Sequence, residues 1–134
     1  MDLDAFREHC LSKTAVTEST PFGEDVLVFK VADKIFALAS LDEVPPTANL
    51  KCDPDWALEL RDRYEDVQPG YHMNKKHWNT VNLGGEIPLK ELRQMIDHSY
   101  DLVVASLSRK ARDRMDEATA KDRRQSAKAP VKKS

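Results

Sequence analysis

A chain of 134 residues, 40% apolar and 33% charged, has the size and composition of one globular domain able to bury a core without metal or disulfide. No apolar run approaches the ~18 residues of a membrane span, and the acidic opening Met1-Asp2-Leu3-Asp4 is unlike a secretion signal, so a cytoplasmic protein with no membrane partner is expected. The formal charge of −2 hides a split. Residues 1–107 hold 11 Lys+Arg against 19 Asp+Glu (−8), and residues 108–134 hold 10 against 4 (+6), so general electrostatics would draw a polyanion to the tail first.

Taken in chain order, Asp2 is placed to cap a helix over about residues 3–13, with Leu3, Phe6, Cys10 and Leu11 as its apolar stripe. Thr20-Pro21-Phe22-Gly23 breaks the chain. Val26–Val31 and Ile35–Leu41 are rich in β-branched and aromatic residues and are joined by Ala32-Asp33-Lys34, which predicts a hairpin. Pro45-Pro46 interrupts, and Ala48–Cys52 reads as a third strand. Asp53-Pro54 opens a short helix with Asp53 as N-cap and Trp56, Ala57, Leu60 and Tyr64 on its apolar side. Pro69-Gly70 turns the chain into Tyr71–Leu83, expected to form two strands around Asn74–Lys76. After Gly84-Gly85, Pro88 opens a helix in which Leu89, Leu92, Ile96, Tyr100, Val103, Val104 and Leu107 recur every three or four residues. The spacing predicts that this helix runs on past Leu107, solvated to about Gln125, with Ser126–Ser134 disordered. Cys10 and Cys52, both in apolar settings, are expected as buried, reduced thiols. The order of elements predicts an α+β fold: an antiparallel sheet with its helices packed on one face and the other face free. Residues 1–107 form the domain and 108–134 a basic helical extension.

The runs Thr20-Pro21-Phe22-Gly23, Val28-Phe29-Lys30-Val31 and Asn49-Leu50-Lys51-Cys52, together with Gly70-Tyr71-His72-Met73-Asn74-Lys75-Lys76-His77-Trp78-Asn79-Thr80, resemble the MmcQ/YjbR family. Ser99-Tyr100-Asp101-Leu102-Val103 resembles the helix that closes that family's domain. The likeness spans about residues 1–107 and leaves the basic tail outside the pattern. It implies a CyaY-like (frataxin-like) fold, a small bacterial cytoplasmic protein, and a DNA-binding role tied to a double-wing arrangement of hairpins. It brings no established catalytic activity; the CyaY-like fold suggests iron only by analogy, at acids of the first helix such as Asp2, Asp4 and Glu8, and no cofactor is expected.

The segment 71–79 concentrates the polar chemistry of the chain. Lys75 and Lys76, with Lys51 from a neighbouring strand, could neutralise phosphates. Tyr71, His72, His77 and Trp78 could stack, and Asn74 and Asn79 could hydrogen-bond to phosphates or base edges. Alternation along an extended segment separates Trp78 and Thr80 from His77, Asn79 and Val81. The competing account makes Trp78 core, Tyr71 and the histidines strand-end caps, and the lysines the solvated part of a turn. A small anionic ligand, or a protein partner on the open sheet face, is the alternative to DNA. In the tail, Arg109, Lys110, Arg112, Arg114, Arg123 and Arg124 could assist, although interleaved acids and the pair Glu117 and Lys121 also suit a solvated helix. No metal is assigned: His72 and His77 are five apart with no Cys pair to support them, and Asp2, Asp4 and Glu8 suit a helix N-terminus in any case. No nucleophile is held next to a base and no phosphate loop appears, so no enzyme is expected.

Overall fold

The computed structural model describes residues 1–71 and 73–117. Helix α1 (Leu3–Leu11) starts where expected, with Asp2 Oδ1 accepting from the Ala5 N–H at 2.7 Å. Strands β1 (Val16–Ser19), β2 (Val26–Val31), β3 (Lys34–Ser40) and β4 (Thr47–Lys51) follow, then α2 (Pro54–Arg63), β5 (Val67–Pro69), β6 (Trp78–Asn82) and α3 (Leu89–Ala105). The six strands form one antiparallel sheet in the order β1-β2-β3-β4-β6-β5. The α+β reading therefore holds.

Three local expectations are corrected. The segment Tyr71–Leu83 does not hold two strands: the partner of β6 is the earlier, three-residue β5, and residues 70–77 form the connection. Strand β1 was not anticipated, being a four-residue, half-exposed edge strand. The last helix does not run past Leu107. It ends at Ala105 with Ser106 as C-cap, and residues 109–117 form a separate helical segment whose first turn is capped by Ser108 Oγ, which accepts from the Ala111 N–H at 3.1 Å. The expectation for residues beyond 117 lies outside the described residues.

The register sorts the side chains. Residues opposite one another share a face, so Phe29, Ala37, Leu50 and Asn79 point one way with Ala39, Ala48, Val81 and Val67. All are buried, and they meet Phe6 and Cys10 of α1, Ala57 and Leu60 of α2, and Leu92, Ile96 and Val103 of α3. A register shift after Phe29 gives β3 one extra residue, and Phe36 and Ala37 are both fully buried in consequence. Phe36 packs edge-on against Tyr100 at 5.3 Å and tilted against Phe29 at 6.5 Å, and Phe29 packs edge-on against Phe6 at 5.8 Å. Next to this bulge the β3–β4 ladder stops. Ser99 of α3 bridges the gap, donating to the Phe36 carbonyl at 2.5 Å and accepting from the Lys51 N–H at 2.9 Å.

On the opposite face lie Val26, Val28, Leu38, Ser40, Thr47, Asn49, Lys51, Trp78 and Thr80. Among the described residues, the helices α1, α2 and α3 pack on the other face. The two ends of the open face differ in charge, with Lys51 at one and Glu43 beside the other.

Candidate functional site

The 70–77 connection is folded tightly around two residues. Gly70 donates to the Trp78 carbonyl at 2.8 Å, and a Cβ on it would sit 2.8 Å from Trp78 Cβ and 2.9 Å from that carbonyl oxygen, closer than real Cβ contacts come. Asn74 ends the connection: its carbonyl accepts from the His77 and Trp78 N–H groups at 3.1 and 2.9 Å, and its Oδ1 accepts from the Lys76 N–H at 3.0 Å. From α2, Arg61 reaches across to pin this turn. Its Nε donates to Asn79 Oδ1 at 2.7 Å, and its Nη2 donates to the carbonyls of Trp78 (3.2 Å) and Lys75. The sequence reading assigned Arg61 no role.

This scaffold brings three of the anticipated cations to one corner of the sheet. Lys51 sits directly opposite Trp78 in the β4–β6 ladder, and Lys75 and Lys76 lie three and two residues before Trp78 in the turn. None of the three lysines ion-pairs with a carboxylate among the described residues; Lys75 Nζ instead turns back to the Gly70 carbonyl at 3.3 Å. Trp78 is half-buried on the open face and Asn74 is exposed at the turn. His77 is half-buried, and its carbonyl accepts from the Cys52 N–H at 2.7 Å.

Asn79 does not join the corner. It is 2% exposed, on the helix-covered face, and its Oδ1 accepts from Arg61 Nε. Tyr71 is exposed but stands over the middle of the open face, where its N–H donates to Thr80 Oγ1 at 2.9 Å. His72 lies outside the described residues, as do Arg123 and Arg124 of the tail.

Arg109, Lys110, Arg112 and Arg114 lie on the helical segment 109–117. Met115 packs on the core cluster, and Arg114, Ala111 and Met115 face Ala15, Thr17, Ala32 and Asp33 across a depression of about 220 Å³. Arg112 donates to the Ala105 carbonyl at 3.3 Å. Because Ala32 and Asp33 form the tip of the β2–β3 hairpin, the start of the tail lies at the same end of the sheet as Lys51, Lys75 and Lys76. The hairpin tip lies one or two strands to the side of Lys51 and three or four residues beyond its level in the sheet.

The middle and far end of the open face form a concavity of about 590 Å³. Val26, Leu38, Asn49 and Thr80 make its floor, and Phe22 (66% exposed), Tyr71 (68%), Met73 and Glu43 stand around it. Thr80 Oγ1, which accepts from Tyr71, donates to Asn49 Oδ1 at 2.5 Å. The sequence reading used Phe22 only as part of a chain break and a family motif, because its exposed aromatic ring cannot be told from a core ring without the fold.

Neither thiol is poised for chemistry. Burial pushes both Cys10 and Cys52 up to about 12, which keeps them protonated at neutral pH. His98 of α3 accepts from the Asp53 N–H at 3.0 Å and packs edge-on against Trp56 at 4.5 Å, and burial lowers its pKa despite Asp53 and Asp101 nearby. Asp2, Asp4 and Glu8 lie on or before α1, whose start is tied to the far end of β6 from Trp78 by the Met1 ammonium donating to the Leu83 carbonyl at 2.9 Å. Among the described residues no group of three or more His, Cys, Asp or Glu side chains is placed to hold a metal ion, and no helix is long and apolar enough to cross a membrane.

The YjbR family model matches residues 11–102, which takes in the whole sheet and nearly all of α3. The chain belongs to the YjbR family. Among curated relatives, the uncharacterized protein YbdF of Escherichia coli O157:H7 is 44% identical over 95 residues, covering 71% of this chain and 78% of the relative. The uncharacterized protein YjbR of Escherichia coli K12 is 32% identical over 112 residues, covering 84% of this chain and 95% of the relative. Among solved structures, the Deinococcus radiodurans protein DR2400, assigned to the domain DUF419, superposes with a TM-score of 0.80 at 34% identity, over 85% of this chain and 87% of the other. A Pseudomonas syringae protein superposes with a TM-score of 0.67 at 28% identity, over 76% of this chain and 98% of the other.

Proposed function

We propose that this YjbR-family protein is a non-enzymatic, cytoplasmic DNA-binding protein that takes the phosphate backbone at the lysine corner. One observation carries it: Lys51 stands opposite Trp78, and Lys75 and Lys76 lie in the turn that leads into it, none with a carboxylate partner among the described residues, in a body whose net charge is strongly negative. Lysines that stay hydrated and have no carboxylate partner keep their charge available to a polyanion. The β2–β3 tip and the 70–77 turn project from the same end of the sheet, which suits the double-wing arrangement that the family resemblance implies, on a CyaY-like (frataxin-like) scaffold. Arg109, Lys110, Arg112 and Arg114 begin a basic arm at that end and add sequence-independent attraction. Trp78 and His77 supply ring faces at the contact.

Fluorescence anisotropy of labelled DNA over a salt series tests the proposal. Each phosphate neutralised contributes about −0.9 to the slope of log K against log salt, so the Lys51→Ala/Lys75→Ala/Lys76→Ala variant of the full chain should flatten the slope by roughly 2 to 3. An unchanged slope assigns binding to the tail alone and refutes the corner.

A second ligand class is favoured at a different place by the 590 Å³ concavity, whose size is that of a small-molecule site. Its described lining residues include no lysine or arginine, so a small anion belongs at the lysine corner and not in the concavity.

A further inference from the structure

We propose that the concavity on the open sheet face is a binding site for a small, apolar-bodied amine, separate from the lysine corner and independent of any role in DNA binding. Its floor is apolar at Val26 and Leu38, and its walls carry Phe22, Tyr71 and Met73, so it removes an apolar body from water. Phe22 and Tyr71 are two of the most exposed large apolar residues among the described ones, and both stand on this one rim. Isolated exposed apolar residues need no explanation, but a group of them around a concavity of ligand size does.

The polar groups set the sign of the ligand. Glu43 is the one carboxylate, lysine or arginine among the described lining residues. Thr47 Oγ1 donates to Glu43 Oε2 at 2.8 Å, which orients the carboxylate and leaves Oε1 with no protein donor among the described residues. Asp25 and Asp42 lie at the same end of the sheet as Glu43: the Leu41 N–H donates to the Asp25 carbonyl at 2.8 Å, and Ser40 Oγ donates to Asp42 Oδ1 at 2.9 Å. An ammonium group placed against Glu43 is thus attracted by its carboxylate, whereas a ligand carboxylate is repelled by it. The lysines that would reverse this preference lie at the opposite end of β4. Aromatic walls add to the same preference, since ring faces attract cations. On the floor, Asn49 Oδ1 is occupied by Thr80, so its amide N–H groups are the donors turned to any acceptor that the ligand carries.

The test uses three probes of nearly equal size: phenethylamine, 2-phenylethanol and 3-phenylpropanoate. Each is titrated, to about 10 mM given the weak binding of fragments, into the 15N-labelled full chain. The expected result is amide shifts at Leu38, Ser40, Asn49 and Thr80, with phenethylamine binding roughly fivefold tighter than the alcohol and 3-phenylpropanoate weakest. The exposed substitution Glu43→Gln should bring the amine and the alcohol within about twofold of each other while the groove shifts persist. Ser40→Trp, which fills the floor, should abolish the shifts for all three probes. The proposal is overturned if 3-phenylpropanoate binds as tightly as the amine, if Glu43→Gln leaves the order of affinities unchanged, or if no probe moves the groove amides.

Discussion

Replacing Arg61 by Leu should loosen the 70–77 turn and with it the lysine corner. The guanidinium satisfies Asn79 Oδ1 at 2.7 Å and the Trp78 carbonyl at 3.2 Å, and it also donates to the Lys75 carbonyl. Asn79 is buried and its Nδ2 already lacks a partner among the described residues, so it has no spare hydrogen bond to compensate. A charged hydrogen bond contributes about 1.5–3 kcal/mol, and each buried acceptor left unpaired costs about 1–3 kcal/mol. Arg61 is itself half-buried, and the Lys75 carbonyl can turn to water, which discounts its share. The net expectation is a loss of roughly 2–4 kcal/mol. Urea denaturation should show this as a lower midpoint at unchanged m, and hydrogen exchange should show faster exchange at the His77 and Trp78 amides, whose acceptor is Asn74. The double variant Arg61→Leu/Asn79→Leu, which removes the orphaned amide, should recover part of the loss. A cost under about 1 kcal/mol with unchanged exchange in the turn would mean that Arg61 does not hold the corner.

Two further outcomes follow from the packing. The folded protein holds His98 neutral, with its pKa lowered by burial even though Asp53 and Asp101 pull the other way, while the unfolded imidazole titrates near its ordinary 6.5. As pH falls below 6.5 the unfolded state therefore takes up the proton first, and stability declines until the folded group titrates as well. The urea midpoint should drop between pH 7.5 and 5.5, and His98→Gln, which keeps an acceptor for the Asp53 N–H, should lessen the drop. At the β2–β3 tip both Ala32 (φ 49°) and Asp33 (φ 64°) are left-handed, the conformation of a type I′ turn. Ala gains nothing from that region, so Ala32→Gly should stabilise the protein by up to about 1 kcal/mol in thermal denaturation.

Much of the fold was legible because its signals are local. Asp2 and Asp53 cap the helices they precede, and the β-branched runs at 26–31 and 35–41 pair as a hairpin. The failures come where the deciding contact is distant. Val16–Ser19 and Val67–Pro69 are too short to carry a period of their own, and they are strands only because β2 and β6 offer free edges. Tyr71–His77 has strand-like composition, but Asn74 spends its carbonyl and side chain on a turn. The helix expected to run through Leu107 stops because Ser106 and Ser108 cap two separate helices. Of the site, the opposition of Lys51 and Trp78 needed only the correct pairing of two strands. Arg61 lies 18 residues from Asn79, and nothing in either neighbourhood announces the contact.

The most direct test of the DNA-binding account is an amide NMR titration of the full chain with a short DNA duplex at low salt. The account predicts that shifts centre on Lys51 and on Lys75–Trp78, with weaker shifts along 109–117 and little change at Leu38 and Glu43. Shifts confined to residues beyond 108, with Lys51 and Lys75–Trp78 unmoved at saturation, would contradict it.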